Sequence, residues 1–181
     1  IDLATGKIRR EIPIKGAAFL NDLDVDPATG DVYVTDSFND AIWRVVGGKK
    51  AKPFLRTPKL EGPNGILVEE DALLIGAFGP GVDRTTFQTT EPGRVLRVDR
   101  VTKAISPLSD RIGNLDGMER DGADLIVSDF WGGQLLRVHP DGSTELIMRV
   151  LPTAADLGFD PKRRVLGLPQ TAANVVVFFN L

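Results

Sequence analysis

Three polar residues recur at one position of a repeated pattern and carry oxygen atoms that can bind a cation. Asn21, Asn64 and Asp116 each begin a short apolar segment, and a fourth, weaker copy begins at Ala155. Two amide oxygens and one carboxylate converging on one point suit a hard divalent cation, Ca²⁺ first, with Zn²⁺ or Mg²⁺ as alternatives. Asn and Asp are also common in turns and at strand starts. Because all three residues are in phase with the repeat, the pattern favours a metal site.

The repeat itself predicts an all-β fold of the β-propeller type. Its four leading positions are 43, 52 and 39 residues apart, and about 40–50 residues is the length of a four-stranded propeller blade. Short segments rich in β-branched residues alternate with turn sequences. A β-sandwich is the alternative, but it would not explain why an apolar-Arg-Val sequence recurs at one place in each unit. We expect the arginines of that sequence to pair with acids on neighbouring strands; they are Arg44, Arg97 and Arg137.

The phase of the repeat predicts a single, partial propeller domain over residues 1–181. We expect residues 1–18 to be the end of a preceding blade, residues 19–63, 64–115 and 116–154 to be three blades, and residues 155–181 to be an incomplete blade. The chain would then cover about four blades and not a whole ring. Interrupted blades expose strand edges and apolar faces, so the remaining blades or another chain are expected to cover them.

The face that carries the three polar residues is also expected to hold a pocket. In a propeller, the first strand of each blade lines the central channel, and the loop between the second and third strands lies at the same end. Aromatic and acidic residues then surround a polar centre beneath an insertion at residues 79–92, a setting typical of a small-molecule site. Packing between blades is the alternative role of the aromatic residues. The predicted substrate-binding residues are Asn21, Asp36, Phe38, Phe78, Asp129 and Trp131.

Composition excludes several other classes of function. The formal net charge of −3 predicts no affinity for nucleic acid or an anionic membrane, and no apolar run approaches the roughly 18 residues of a membrane span. The chain has no cysteine, which excludes thiolate chemistry, and its one histidine, His139, argues against a Ser-His-Asp triad. The chain begins at Ile1 without a methionine, which leaves localisation open between secreted or periplasmic, the favoured interpretation, and cytoplasmic.

The three segments around the polar residues resemble a known family. Residues 19–27, 62–66 and 114–118 are similar to the senescence marker protein, gluconolactonase and luciferin-regenerating enzyme family, and more distantly to paraoxonase and diisopropyl fluorophosphatase. The resemblance implies a six-bladed, calcium-dependent hydrolase with the metal in its central channel. It further implies that Asn64 and Asp116 bind the metal, and that Asn21 binds either metal or substrate. The family's metal also needs a Glu from its first blade, to which no residue of this chain can be assigned.

These residues lead to two hypotheses about function. The first is a metal-dependent hydrolase of a lactone or ester, in which the cation polarises the carbonyl group. Asp116 is then the catalytic residue, either activating water or acting as the nucleophile. The alternative is a non-catalytic propeller scaffold that binds a ligand or a protein partner, because fold does not imply function. Metal dependence of lactone hydrolysis would separate the two.

Overall fold

The computed structural model describes residues 1–181, and β-strands make up nearly all of its regular structure. There is no α-helix; the only helical segments are three 3₁₀ turns of three residues each, at Ser37–Asn39, Pro58–Leu60 and Thr171–Ala173. None of these segments has the length or apolar character to cross a bilayer. The prediction of an all-β fold is therefore confirmed.

The strands form four separate antiparallel sheets, each following the order of the chain. Three sheets have four strands and the last has three. The first strands of successive sheets contact one another, so the sheets are arranged as the blades of a propeller. The first blade contains β1 (Leu20–Val25), β2 (Val32–Asp36), β3 (Ala41–Val46) and β4 (Lys50–Arg56); the second β5 (Pro63–Val68), β6 (Ala72–Ala77), β7 (Val95–Asp99) and β8 (Ile105–Pro107); the third β9 (Leu115–Asp121), β10 (Asp124–Asp129), β11 (Gln134–Val138) and β12 (Thr144–Arg149); the fourth β13 (Gly158–Asp160), β14 (Val165–Gln170) and β15 (Val175–Asn180).

The hydrophobic core is divided into layers between neighbouring blades. One cluster joins the first and second blades around Tyr33 and Ile75, and a second joins the second and third blades around Leu74 and Val127. A third cluster joins the third blade to the fourth. In the first three blades the second strand is buried on both faces, as in β6, where every residue is buried. Its apolar residues therefore contribute alternately to the two layers that flank the blade.

The segment before the first blade contains no strand. Residues 1–18 form a turn closed by a hydrogen bond from the Asp2 amide to the Lys7 carbonyl, 2.8 Å long, followed by irregular chain. That they complete a preceding blade stays a prediction. Ile12 and Ile14 pack against a small cluster around Trp43 on the outer face of the first blade.

The fourth blade leaves apolar side chains on its far side in solvent. Phe178 on β15 is 71% exposed, and Val176 on the same strand is 56% exposed. The opposite end of the array also exposes apolar groups, since Leu23 on β1 is 58% exposed.

Arginine–carboxylate pairs stabilise the blades, and the recurrent arginines behave as predicted. Arg44 pairs with Asp31 at 2.6 Å, Arg97 with Asp71 at 2.5 Å and Arg137 with Asp121 at 2.8 Å, each within its own blade. A second set of pairs crosses from one blade to the next. It comprises Arg100 with Asp26, Arg120 with Glu69 and Arg164 with Asp121.

Candidate functional site

The three leading polar residues lie in irregularities at one place in each of the first three blades. The ladder between the first two strands shifts register between Leu20 and Leu23, between Pro63 and Ile66, and between Leu115 and Met118. Asn21, Asn64 and Asp116 each fall inside one of these shifts. Because a bulge re-aims the side chains of the strand that carries it, this position can present a polar group to the channel instead of to the sheet.

Equivalent hydrogen bonds establish that these positions correspond in space. The amides of Ser37, Phe78, Phe130 and Thr171 each donate to a carbonyl two residues before the leading position, at Phe19, Gly62, Asn114 and Thr153. The phase derived from the sequence therefore matches the backbone structure. The fourth blade has Ala155 at the leading position, with Asp156 directly after it, in the place that Asp22 occupies in the first blade.

All three residues line one cavity of about 380 Å³ at the end of the channel. Four blades contribute to it, together with the insertion at residues 79–92. The lining residues are Phe19, Asn21, Ser37, Phe38, Asn64, Phe78, Val82, Phe87, Asp116, Phe130, Trp131, Ala155, Asp156 and Thr171. This volume is within the range of small-molecule sites.

The polar side chains on the floor of the cavity are joined in pairs. The Asn64 amide donates to an Asp116 carboxylate oxygen at 3.1 Å. The Asn21 amide donates to the Ser37 hydroxyl at 3.1 Å, and that hydroxyl donates to the Pro63 carbonyl at 2.7 Å. Each Asn thus uses its Nδ2 group within the protein, and neither Oδ1 atom accepts a protein hydrogen bond. The two amide oxygens and the Asp116 carboxylate remain as acceptors for a ligand.

Three carboxyl groups near this floor have raised pKa values, and burial is the main cause for each. The pKa of Asp116 is raised to about 7, chiefly by burial and in part by the nearby Asp156 and Asp22, and the hydrogen bond from Asn64 opposes this rise. Burial and Asp156 likewise raise the pKa of Asp22 to about 6, against the hydrogen bond that its carboxylate accepts from the Ile66 amide at 2.8 Å. Burial raises the pKa of Asp156 as well. A carboxyl group that titrates near neutral pH is suited to accept a proton in a reaction.

The donor set on the floor agrees in type with a hard divalent cation. Its atoms are two amide oxygens and one carboxylate, the oxygen ligands that Ca²⁺ or Mg²⁺ takes in proteins. Nearby negative charge and a desolvated carboxyl group also favour a cation. No three His, Cys, Asp or Glu side chains form a cluster that could hold a metal ion, however. Two carboxyl groups, those of Asp116 and Asp156, line the cavity, and Asp22 acts on Asp116 through space.

Aromatic rings form the walls of the cavity on two sides. On one side, Phe19 stacks on Phe38 with ring centres 4.8 Å apart, and Phe87 contacts both. On the other, Phe130 lies 5.8 Å from Phe78 and meets Trp131 edge to face at 4.8 Å. The predicted residues Phe38, Phe78 and Trp131 all line the cavity.

The insertion at residues 79–92 covers part of the mouth. Phe87 and Val82 from this segment line the cavity. The Trp131 indole donates to the Phe87 carbonyl at 3.2 Å, and the Arg84 guanidinium donates to the Phe38 carbonyl at 3.0 Å. Contacts on both sides thus hold this segment of the second blade across the first and third blades.

Two predicted substrate-binding residues, Asp36 and Asp129, do not line the cavity. The buried Asp36 carboxylate accepts hydrogen bonds from the Phe19 amide at 2.9 Å, the Asn39 side chain at 2.8 Å and the Trp43 indole at 3.1 Å. Asp129 occupies the same place in the third blade and accepts from the Asn114 amide at 2.9 Å. Because their lone pairs are used to anchor the chain entering the first strand, these carboxylates have a structural role.

Eight residues that line the cavity were not among the predicted site residues: Phe19, Ser37, Val82, Phe87, Phe130, Ala155, Asp156 and Thr171. The position of Asp156 after the fourth leading residue, in phase with Asp22, is a signal that could have identified it. Phe19 stands in a motif already noticed, and Phe130 lies beside Trp131. Phe87 lies in the insertion at residues 79–92, outside the repeated pattern, so no repeat could have identified it.

Comparison with known protein families finds no match, and comparison with curated proteins finds none either. Solved structures do resemble this chain. An auxiliary nutrient binding protein from Bacteroides thetaiotaomicron superposes with a TM-score of 0.69 at 15% identity, over 90% of this chain and 38% of that one. A gluconolactonase from Xanthomonas campestris superposes with a TM-score of 0.64 at 16% identity, over 86% of this chain and 56% of that one.

A virginiamycin B lyase from Staphylococcus aureus gives a TM-score of 0.60 at 14% identity, over 90% of this chain and 55% of that one. The chain thus spans between about two fifths and three fifths of the length of these proteins. At such identities the likeness concerns the fold alone. The chain has the fold of a β-propeller, represented by four blades.

Proposed function

We propose that the cavity is the active site of a metal-dependent hydrolase that acts on a lactone or an ester. One observation carries this proposal. Asn21, Asn64 and Asp116, from three successive blades, line a single cavity, and burial raises the pKa of the one carboxyl group among them to about 7. The similarity in fold to a gluconolactonase supports the same reaction class. The proposal includes a six-bladed ring, of which this chain forms four blades.

Hydrolysis of a lactone at this floor needs a base and a means of orienting the carbonyl group. Asp116, when ionised, takes a proton from water as the water oxygen bonds to the carbonyl carbon. The ring C–O bond then breaks, and the proton passes to the departing alkoxide, which yields a hydroxy acid. Asn64 holds the Asp116 carboxylate in place through the 3.1 Å hydrogen bond, and Asn21 is positioned to contact the substrate.

The same residues are those that would hold a divalent cation. Asn64, Asp116 and Asn21 would contribute oxygen ligands, and Ca²⁺ suits this donor set best, with Mg²⁺ or Zn²⁺ as alternatives. A bound cation would supply Lewis-acid polarisation of the substrate carbonyl. It would also favour ionised Asp116, since an opposite charge lowers the pKa of a carboxyl group.

Metal dependence of hydrolysis tests this proposal. The protein is treated with a chelator, and Ca²⁺, Mg²⁺ or Zn²⁺ is then added back while the hydrolysis of a panel of lactones and aryl esters is measured. We expect chelation to abolish turnover and one cation to restore it. Asn21→Ala should raise the KM for the substrate by a larger factor than it lowers the affinity for the cation. Turnover that withstands both chelation and Asp116→Asn would refute the proposal.

A non-catalytic ligand-binding propeller is the second candidate. It is favoured by the absence of a cluster of three potential metal-ligating acids or histidines. The nutrient binding protein among the similar structures is consistent with such a role. This candidate predicts that small molecules bind in the cavity with no turnover under any metal condition.

The exposed apolar faces at the two ends of the array support a further part of the proposal. Phe178 on β15 and Leu23 on β1 are among the most exposed apolar residues of the strands. We propose that the remaining blades of a ring, or another chain, cover these faces. Covering them would remove both the exposed apolar area and the unpaired strand edge of β15.

A further inference from the structure

The cavity has two zones of different chemistry. Its floor carries the acceptor oxygens of Asn21, Asn64 and Asp116. Its walls are mainly hydrocarbon, since eight of the fourteen lining residues are hydrophobic and six of those are aromatic. A ligand that fits both zones has one small polar end and a larger apolar body.

The two hydroxyl groups that line the cavity have no free donor for a ligand rich in hydroxyl groups. The Ser37 hydroxyl donates to the Pro63 carbonyl at 2.7 Å, and the Thr171 hydroxyl donates to the Thr153 carbonyl at 3.2 Å. Both donors are thus already in use. A buried hydroxyl group without a partner weakens binding by roughly 5- to 150-fold. A polyhydroxy lactone would incur this cost at several positions along the aromatic walls.

The charge of the lining argues against an anionic ligand. No Lys, Arg or His lines the cavity, whereas Asp116 and Asp156 both do. An anionic substrate would meet carboxylates without a compensating cationic side chain. The reacting ligand should therefore not be an anion, and the divalent cation proposed for the floor would repel a cationic ligand.

The apolar walls are completed by the insertion. Phe87 lies 5.6 Å from Phe19 and 5.4 Å from Phe38, measured between ring centres, and closes one wall. Trp131 closes the other wall and donates to the Phe87 carbonyl. Phe87 has a positive φ of 57°, an uncommon conformation for a non-glycine residue. The surrounding contacts hold its side chain in the cavity.

We propose that the site selects an uncharged lactone or ester with an alkyl or aryl substituent, and rejects polyhydroxy sugar lactones, with Phe87 and Trp131 as the specificity-determining residues. This inference rests on the proposed hydrolase function for the reaction. The choice between an apolar and a sugar-like body rests on the cavity walls alone.

Binding of hydrolysis-resistant lactams tests the inference without requiring turnover. The probes are valerolactam, its 6-pentyl derivative and gluconolactam, measured by calorimetry. Burial of about 0.8 kcal/mol per carbon predicts roughly two- to fourfold tighter binding for each added carbon. We expect the pentyl derivative to bind about 100-fold more tightly than valerolactam, and gluconolactam to bind more weakly than either.

Substitutions of the wall residues Phe87 and Trp131 test whether the cavity walls cause the preference for the pentyl derivative. Phe87→Ala should weaken binding of the pentyl derivative about tenfold and leave binding of valerolactam unchanged, because only the pentyl substituent reaches the wall that Phe87 forms. Trp131→Ala, at a half-exposed residue, should act in the same direction without affecting the fold. Gln88→Ala is the matched control, since Gln88 is exposed in the same segment, lies outside the cavity lining and makes no side-chain hydrogen bond.

The outcomes separate this inference from the proposed function. Gluconolactam binding as tightly as the pentyl derivative, or no binding of any lactam, would overturn the inference, even if hydrolysis proved metal-dependent. Equal losses for Phe87→Ala and Gln88→Ala would also overturn it. Selective binding of the pentyl derivative without turnover of any lactone would uphold the ligand class and refute the hydrolase.

Discussion

The side-chain amide of Asn64 donates a hydrogen bond to the carboxylate of Asp116 at 3.1 Å, which joins the first strands of two successive blades. The bond holds the only carboxylate among the three leading residues beside an accessible amide oxygen. Burial and the nearby acids Asp156 and Asp22 oppose the ionisation of Asp116, whereas this bond favours it. The protein thus retains a charge at the cavity floor that costs stability, an arrangement common at functional sites.

Asp116→Asn keeps the shape of the side chain and removes its charge. We expect cation affinity and kcat/KM to fall about 100-fold or more in the variant. One carboxylate ligand typically contributes several kcal/mol in a desolvated site. Titration calorimetry with Ca²⁺ and initial rates with a lactone measure the two effects. Asp141→Asn, in an exposed turn, should change neither. Cation affinity and turnover equal to those of the parent would argue against the metal-hydrolase interpretation.

The same substitution should stabilise the protein at high pH when no cation is present. Folding raises the pKa of Asp116 to about 7, from about 4 in an unfolded chain. A carboxyl group of this kind contributes stability that is fully present below pH 4 and is lost as the pH rises through 7. Asp116→Asn should therefore melt a few degrees higher than the parent at pH 8, and at the same temperature near pH 4. A difference independent of pH would show that ionisation of Asp116 is not its source.

The pair between Asp26 and Arg100 should stabilise the contact between the first two blades. The hydrogen bond from Arg100 is the main reason that the pKa of Asp26 falls to about 2. A lowered carboxyl pKa contributes stability that is full above pH 4 and is lost as the pH falls towards 2. Asp26→Asn should lower Tm at pH 7 by several degrees and flatten the acid limb of the stability profile, because it leaves a largely buried guanidinium without its ionic partner.

The exposed pair between Asp71 and Arg97 is the control for this prediction. Asp71 is 73% exposed at its side chain, and exposed pairs contribute only about 0–1 kcal/mol. Asp71→Asn should thus change Tm much less than Asp26→Asn. Equal changes in Tm for the two substitutions would mean that burial does not determine how much these ion pairs contribute to stability.

Gly117 should tolerate no side chain, because the first strand of the third blade passes close to the fourth blade at this point. A Cβ atom on Gly117 would lie 2.4 Å from the Leu157 amide nitrogen and 2.7 Å from the Asp156 Cα. Gly117→Ala should therefore destabilise the protein by about 1–3 kcal/mol. It should also disturb the cavity floor, since Asp116 is its neighbour. Urea unfolding and Ca²⁺ titration measure the two effects.

Gly158, on the first strand of the fourth blade, is the control position. A Cβ atom there would meet nothing within 4 Å. Gly158→Ala should consequently leave stability within about 0.5 kcal/mol of the parent. A large loss of stability in Gly158→Ala, or no loss in Gly117→Ala, would contradict the close approach of the third and fourth blades at Gly117.

The amino-acid sequence by itself determined the blades and the leading residues of the site. Strand repeats are visible because side chains alternate between two faces and turn residues separate the strands. The same phase predicted that Asn21, Asn64 and Asp116 converge, and that the insertion reaches the cavity. These features depend on local chemistry repeated at a constant interval, which a single sequence records.

Only the tertiary structure decided which polar residues remain available to a ligand. Asp36 and Asp129 look like site residues in sequence, yet their carboxylates accept hydrogen bonds from chain segments that enter the first strands. Asp156 reaches the floor, where it raises the pKa of Asp116, because the array of blades curves back toward the first blade. Phe87 reaches the wall through an insertion that follows no repeat. Hydrogen-bond saturation and the curvature of the array depend on contacts between residues far apart in the chain, which local patterns do not encode.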